Sequence, residues 1–250
     1  MRLFETRPGD DGLPGPERAL AVLALVTGTL MAVVDTTMIN LALPTIAADL
    51  NVSASRAVWI TNLFQVVCAA FLLVFAGISE LITRRRLYLF GLATFVAAAL
   101  GAALSRNLET LLVFRALQGL GAAATLSIGP SLYRAIFPSR LLGSALGLSA
   151  LVVAGGYAAG PTLSGVILSF ADWPWLFALN VPLGLCSLWL AKRALPQDEP
   201  RKGSFDVAGA LLSIVMLASF FIAMDAVSHA APIWQSGGWA LLAVLACSGF

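Results

Sequence analysis

Apolar side chains fall into seven long runs along the chain, at 19–43, 56–79, 87–104, 110–133, 141–170, 175–191 and 207–227, separated by short polar stretches. Each run is close to the roughly 20 residues that an α-helix needs to cross hydrocarbon, so the pattern predicts seven membrane-spanning helices. A last run, 239–250, is too short to cross, and the chain is expected to stop inside an eighth helix as the front part of a longer protein. The first 18 residues are polar, with three prolines, three glycines and mixed charges, and read as a disordered tail. No basic segment leads straight into a short apolar core, so the first span is expected to act as its own uncleaved insertion signal. The division expected is a tail at 1–18, six helices at 19–191, a linker at 192–204, and helix seven with a truncated helix eight at 205–250.

Composition agrees with a membrane setting. Hydrophobic residues make up 59% and charged residues 11% of the chain, and the mean hydropathy is +0.90. A soluble domain of this size has no core large enough for so much apolar side chain. A net charge of +2, with the bases in short loops, excludes nucleic-acid binding. Of the 15 basic residues, twelve fall on the side of the amino terminus, two on the opposite side, and Arg115 inside a span. That asymmetry predicts a cytoplasmic amino terminus in a multi-pass cell-membrane protein, the inner membrane in a Gram-negative source. Trp59, Trp173, Trp175, Trp189, Trp234 and Trp239 all lie near span ends, where amphipathic rings collect. Cys68, Cys186 and Cys247 lie in apolar runs without metal-ligand spacing, and His229 is the sole histidine. No metal, cofactor or enzymatic activity is expected, because no nucleophile triad, metal set or phosphate loop is present. The glycine-rich stretch GYAAGPTLSG lies within a span rather than after a strand.

Charges inside spans carry the candidate chemistry. Asp35, in DTTMINLALP, sits in the first span, where an acidic side chain costs about 2.5–3.5 kcal/mol unless it faces a partner or a watery cavity. Arg115, in LLVFRALQGLGAAA, enters the fourth span six residues after Glu109, and Asp35 lies eight residues before Leu43. At about 1.5 Å per residue these are similar depths, so the two side chains are candidates for a buried pair. Such a pair serves either proton coupling or structure alone. Gln118, one turn from Arg115, extends the polar line or makes a helix-to-helix hydrogen bond. Glu80, four residues before Arg84, suggests a charged latch with Arg84 and Arg85 in the loop after the second span; the alternative is that the arginines only set topology. In the fifth span Gly155, Gly156, Gly160, Pro161 and Gly165 permit close helix approach and a bend, which either seals a cavity or simply packs. Asp225, near the outer end of the seventh run, is a candidate for the substrate path or a snorkelling surface acid.

Taken in order, these stretches resemble the major facilitator superfamily, in particular the drug:proton antiporters with fourteen spans. Asp35, Thr37, Asn40, Ala42, Leu43 and Pro44 match the family's D-x-T-x-x-N-x-A-L-P motif, and Arg115, Gln118, Gly119 and Gly121 match R-x-x-Q-G-x-G. Gly156, Gly160, Pro161 and Gly165 match the antiporter motif G-x(3)-G-P-x-x-G-G, with Ser164 in place of its first paired glycine. The stretch WPWLFALNVPLG is similar to W-R-W-x-F-x-x-N-x-P-x-G, with Pro174 in the arginine position. The loop motif G-x-x-x-D-x-x-G-R-R is altered: Ala76 and Thr83 replace its glycines and Glu80 its aspartate.

The resemblance implies an all-α membrane protein. Its six-helix N-terminal half would consist of two inverted three-helix repeats, followed by one further helix and part of another. It implies proton-driven export of a lipophilic or cationic small molecule by alternating access. Asp35 and Arg115 would couple protons, and Asn40, Gln118 and Asp225 would line the path. The partners implied are the substrate, protons and the lipid bilayer; envelope partner proteins are left open. The rival readings are a metabolite transporter of the same fold and a non-transporting scaffold or sensor.

Overall fold

The computed structural model describes residues 2–6, 9–197 and 205–228, together with 238, 239, 241, 242 and 246. Among these residues the chain is helical, with no strand. Helix α1 (Gly15–Asp49) has proline in its first turn, where the missing N–H costs nothing. A short α2 (Ala54–Ala57), capped by the Ser53 side chain, runs into α3 (Trp59–Leu81). Thr83 caps α4 (Arg84–Ala103), and Asn107 caps α5 (Leu108–Ile136) by accepting the Thr110 N–H at 2.9 Å. After a 3-10 turn at Ser139–Leu141 come α6 (Leu142–Phe170), α7 (Pro174–Ala178) and α8 (Asn180–Ala194). Helix α9 (Val207–Ser228) starts where Asp206 accepts the Gly209 N–H at 2.9 Å.

Six of these units are long and apolar enough to cross a membrane: 15–49, 54–79, 84–103, 108–136, 139–170 and 174–194. In α9 the apolar stretch is Val207–Ala223. The sixth run is interrupted between α7 and α8. Pro182 has no N–H to offer the carbonyl of Ala178, and its ring crowds that carbonyl, so the helix steps at Leu179.

Helix α5 is central, packing along both α3 and α4, while α1 packs along α6 and α8. Close approach depends on missing side chains. A Cβ on Gly91 would lie 2.8 Å from the Gly121 carbonyl oxygen, and one on Gly121 would lie 2.7 Å from that of Gly91. Two apolar clusters result. Leu25, Tyr88, Phe95, Ile128, Phe137 and Leu190 pack toward the amino-terminal end, and Met38, Ile46, Ile60, Leu111, Trp173 and Phe177 pack toward the other. Asp35 and Arg115, both fully buried, lie between these clusters.

The expectation of a disordered tail is corrected. Arg2–Phe4 form a 3-10 turn, α1 begins at Gly15, and residues 9–18 lie against the α5–α6 connection. The Leu13 N–H donates to the Ile136 carbonyl at 3.0 Å. Asp10 holds Arg140 through two bonds of 2.7 and 2.6 Å, and Asp11 accepts from the Ser139 hydroxyl at 2.7 Å. Arg18 is fully buried; it donates to the carbonyls of Leu13 and Leu3 at 2.8 and 2.9 Å, with its guanidinium 5.7 Å from the Phe137 ring centre. Composition marked this segment as polar, but Asp10, Asp11 and Arg18 are bonded to the protein.

Candidate functional site

Two charges of opposite sign meet in the middle of the bundle, and neither exposes any surface: Arg115 Nη1 on α5 donates to Asp35 Oδ2 on α1 at 2.6 Å. Removing two ions from water is tolerable only if the remaining donors and acceptors are also satisfied. Here Arg115 Nε donates to the Ile60 carbonyl at 2.9 Å, and its Nη1 also reaches Gln118 Oε1 at 2.9 Å. The guanidinium lies 4.4 Å from the centre of the Phe64 ring, a cation–π contact within the core. Its Nη2 has no hydrogen-bond partner among the described residues.

The other carboxylate oxygen, Asp35 Oδ1, accepts from Asn180 Nδ2 at 2.7 Å and from Gln118 Nε2 at 3.5 Å. Asn180 is the first residue of α8, beside the step that Pro182 forces, and it also donates to the Leu176 carbonyl at 3.3 Å. One carboxylate therefore links three helices: α1, α5 and α8. Asn180 was not singled out from the sequence; the signal available was its place in WPWLFALNVPLG.

The glycine stretch of α6 lies on α1 next to this network. A Cβ on Gly160 would fall 1.8 Å from Thr37 Oγ1, and one on Gly156 would fall 2.9 Å from Val33 Cγ1. Ser164, the departure from the motif, is buried and donates to the Met38 carbonyl at 2.9 Å. Gly155, Pro161 and Gly165 face away and are exposed.

Other sequence candidates lie elsewhere. Asn40 is exposed on α1, away from the Asp35 network. Arg84 donates to the Ser131 carbonyl of α5 at 3.1 Å, and Arg85 donates to the Lys192 carbonyl of α8. The side chains of Glu80 and Asp225 lie outside the described residues, and with them the latch acid and the third candidate acid. Among the described residues no three His, Cys, Asp or Glu side chains are grouped to hold a metal.

A cavity of about 130 Å³ opens between α1, α4, α5 and α6 on the amino-terminal side of the network. Its hydroxyls come from Thr29, Tyr88, Thr125, Tyr133 and Ser149, and among the described residues no lining side chain carries a formal charge. The Tyr88 hydroxyl donates to the Ala24 carbonyl at 3.0 Å. That of Tyr133 is buried without a hydrogen bond of normal geometry, although Ser149 is near enough to interact with it.

A helical membrane unit with a buried ion pair between its first and fourth spans fits a secondary transporter. The chain matches the Major Facilitator Superfamily over residues 25–250 and belongs to that family. It is 41% identical over 217 residues to the uncharacterized transporter YebQ of Escherichia coli (strain K12), covering 86% of this chain and 48% of that protein. It is 31% identical over 212 residues to the riboflavin transporter RibZ of Clostridioides difficile (strain 630), covering 84% of this chain and 46% of that one. It is 32% identical over 246 residues to the tetracenomycin C resistance and export protein of Streptomyces glaucescens, covering 96% and 44%. The fold is similar to the crystal structure of the POT family transporter PepTSo, with a TM-score of 0.66 at 11% identity, covering 90% of this chain and 57% of that one. The chain spans about half the length of the relatives it matches.

Proposed function

We propose that this chain is the N-terminal part of a proton-coupled exporter of lipophilic small molecules, of the fourteen-span type, with its amino terminus in the cytoplasm. The observation that carries the reading is the Asp35–Arg115 contact of 2.6 Å in a site without solvent exposure. When ionised, Asp35 ties α1 to α5 through Arg115 and to α8 through Asn180. A proton on that carboxyl removes the charge that holds α1, while Arg115 keeps the Ile60 carbonyl, Gln118 and the Phe64 ring. The proton thus binds two helix arrangements with different affinity, which is what any ligand must do to shift a conformational equilibrium. Helix α6 follows α1, because Gly160 rides on Thr37, two residues beyond Asp35.

The resistance and export function of the tetracenomycin relative supports the drug reading. Five hydroxyls and no charge in the cavity favour aromatic or neutral lipophilic compounds over permanent cations as its occupants. The riboflavin transporter among the relatives favours a second reading, export or uptake of a metabolite by the same fold. The test is Asp35→Asn in the intact protein. Proton-coupled efflux should be lost, and efflux at the unaltered rate overturns the proposal. Substrate-induced proton release from vesicles, run with drugs and with riboflavin, separates the two substrate readings.

A further inference from the structure

A second cavity, of about 280 Å³, lies where the start of α4 meets the end of α8, lined by Thr83, Arg85, Arg86, Leu89, Lys192 and Gln197. Among the described residues that line it, three of six are cations and none is an acid. Among the described residues no carboxylate pairs with Arg85, Arg86 or Lys192. Arg85 is anchored by donating to the Lys192 carbonyl, which fixes the two helix ends against each other. Thr83 Oγ1 accepts the Arg86 N–H at 3.2 Å, so the positive end of the α4 macrodipole opens on the same cavity. Such a concentration of positive charge, unpaired with any carboxylate among the described residues, calls for an anion, and arginine forks suit phosphate oxygens.

The surroundings say which phosphate. The cavity sits at the end of a membrane-spanning bundle, on the α4–α8 seam. Phe90 on α4 and Leu185 and Trp189 on α8 are exposed large apolar residues of the same two helices. Arg193 lies over the Trp189 ring at 4.3 Å, the arrangement of an aromatic ring with a cation at a membrane interface. A free anion needs only the cations, whereas a phospholipid uses both, its phosphate in the cavity and its chains along the apolar side chains. We propose that this cavity binds the phosphate headgroup of an anionic glycerophospholipid. Basic pockets between spans at the cytoplasmic end are suited to that role.

The test is lipid retention by the purified intact protein in nanodiscs, measured by native mass spectrometry with phosphatidylglycerol and with phosphatidylcholine. Phosphatidylglycerol should be retained preferentially, and millimolar inorganic phosphate should not displace it. Arg86→Gln and Lys192→Gln should each weaken retention about fivefold, and the triple variant with Arg85→Gln about a hundredfold. Arg56→Gln removes one charge from the opposite end of the bundle and should leave retention unaltered. Equal retention of the two lipids, or no loss in the triple variant, overturns the proposal and leaves the cations as topology determinants. Displacement by phosphate overturns it in favour of a small-anion site. Should the triple variant fail to insert, a photoactivatable phosphatidylglycerol on the unaltered protein decides: crosslinks within 83–89 and 192–197 are expected, and crosslinks elsewhere refute the site.

Discussion

Asn180 Nδ2 donates to Asp35 Oδ1 at 2.7 Å, so the buried acid of α1 is oriented by the first residue of α8 as well as by Arg115. A hydrogen bond to a charged group contributes about 1.5–3 kcal/mol. Asn180→Ala should therefore destabilise the intact protein by about that amount and lower transport, because α8 loses its direct tie to α1. Unfolding in detergent and transport in proteoliposomes check this. Unaltered stability would mean that this bond does not hold α8 to α1.

The ion pair itself is tested by a double-mutant cycle. Arg115→Ala leaves Asp35 buried without its charge partner and should destabilise the intact protein by about 3–5 kcal/mol. Adding Asp35→Ala should restore part of that loss, because no buried charge then remains unpaired. Unfolding of the four proteins in the same detergent gives the coupling, and strictly additive losses would contradict the contact.

Six of the seven apolar runs form helices of membrane-crossing length among the described residues; they were legible because a helix in lipid must satisfy its own backbone, so length and hydropathy suffice to find it. The common depth of Asp35 and Arg115 was legible for a related reason: rise per residue converts sequence position into height. Rotation about the helix axis is not encoded so simply. Asn180 comes to Asp35 through the step between α7 and α8, a consequence of Pro182 that a count of apolar residues passes over. Asn40, five residues beyond Asp35 and on another face, is exposed for the same reason of rotation. The amino-terminal segment was misread because its partners are 128 to 130 residues away in sequence. A polar composition looks the same whether its charges are solvated or paired.

The two ends of the glycine motif should respond differently. Gly160→Ala places a methyl group against Thr37 on the facing helix and should cost about 1–3 kcal/mol in stability, with a fall in transport. Gly165→Ala meets nothing within 4 Å and should leave thermal stability unaltered or raised. Melting temperatures of the two variants decide, and equal losses would mean that α6 does not pack on α1 through Gly160.

Docking of the amino-terminal segment should depend on acid. The Ser139 hydroxyl and then its N–H hold the Asp11 carboxyl below its ordinary value of 3.8. A group whose folded value is depressed contributes stability above its unfolded value and loses it as pH falls through the folded one. Asp11 should therefore help to hold residues 9–18 at neutral pH and release them below about pH 3.8. The reporter is the Leu13 amide, bonded to the Ile136 carbonyl at 3.0 Å. Its hydrogen-exchange protection factor should fall between pH 7 and pH 3 in the unaltered protein. Asp11→Asn should lower protection at pH 7 and weaken the pH response, and adding Asp10→Asn, which breaks the pairing with Arg140, should lower protection further. Unaltered protection in the double variant would show that Arg18, fully buried against the Leu3 and Leu13 carbonyls, is enough to hold the segment without either acid.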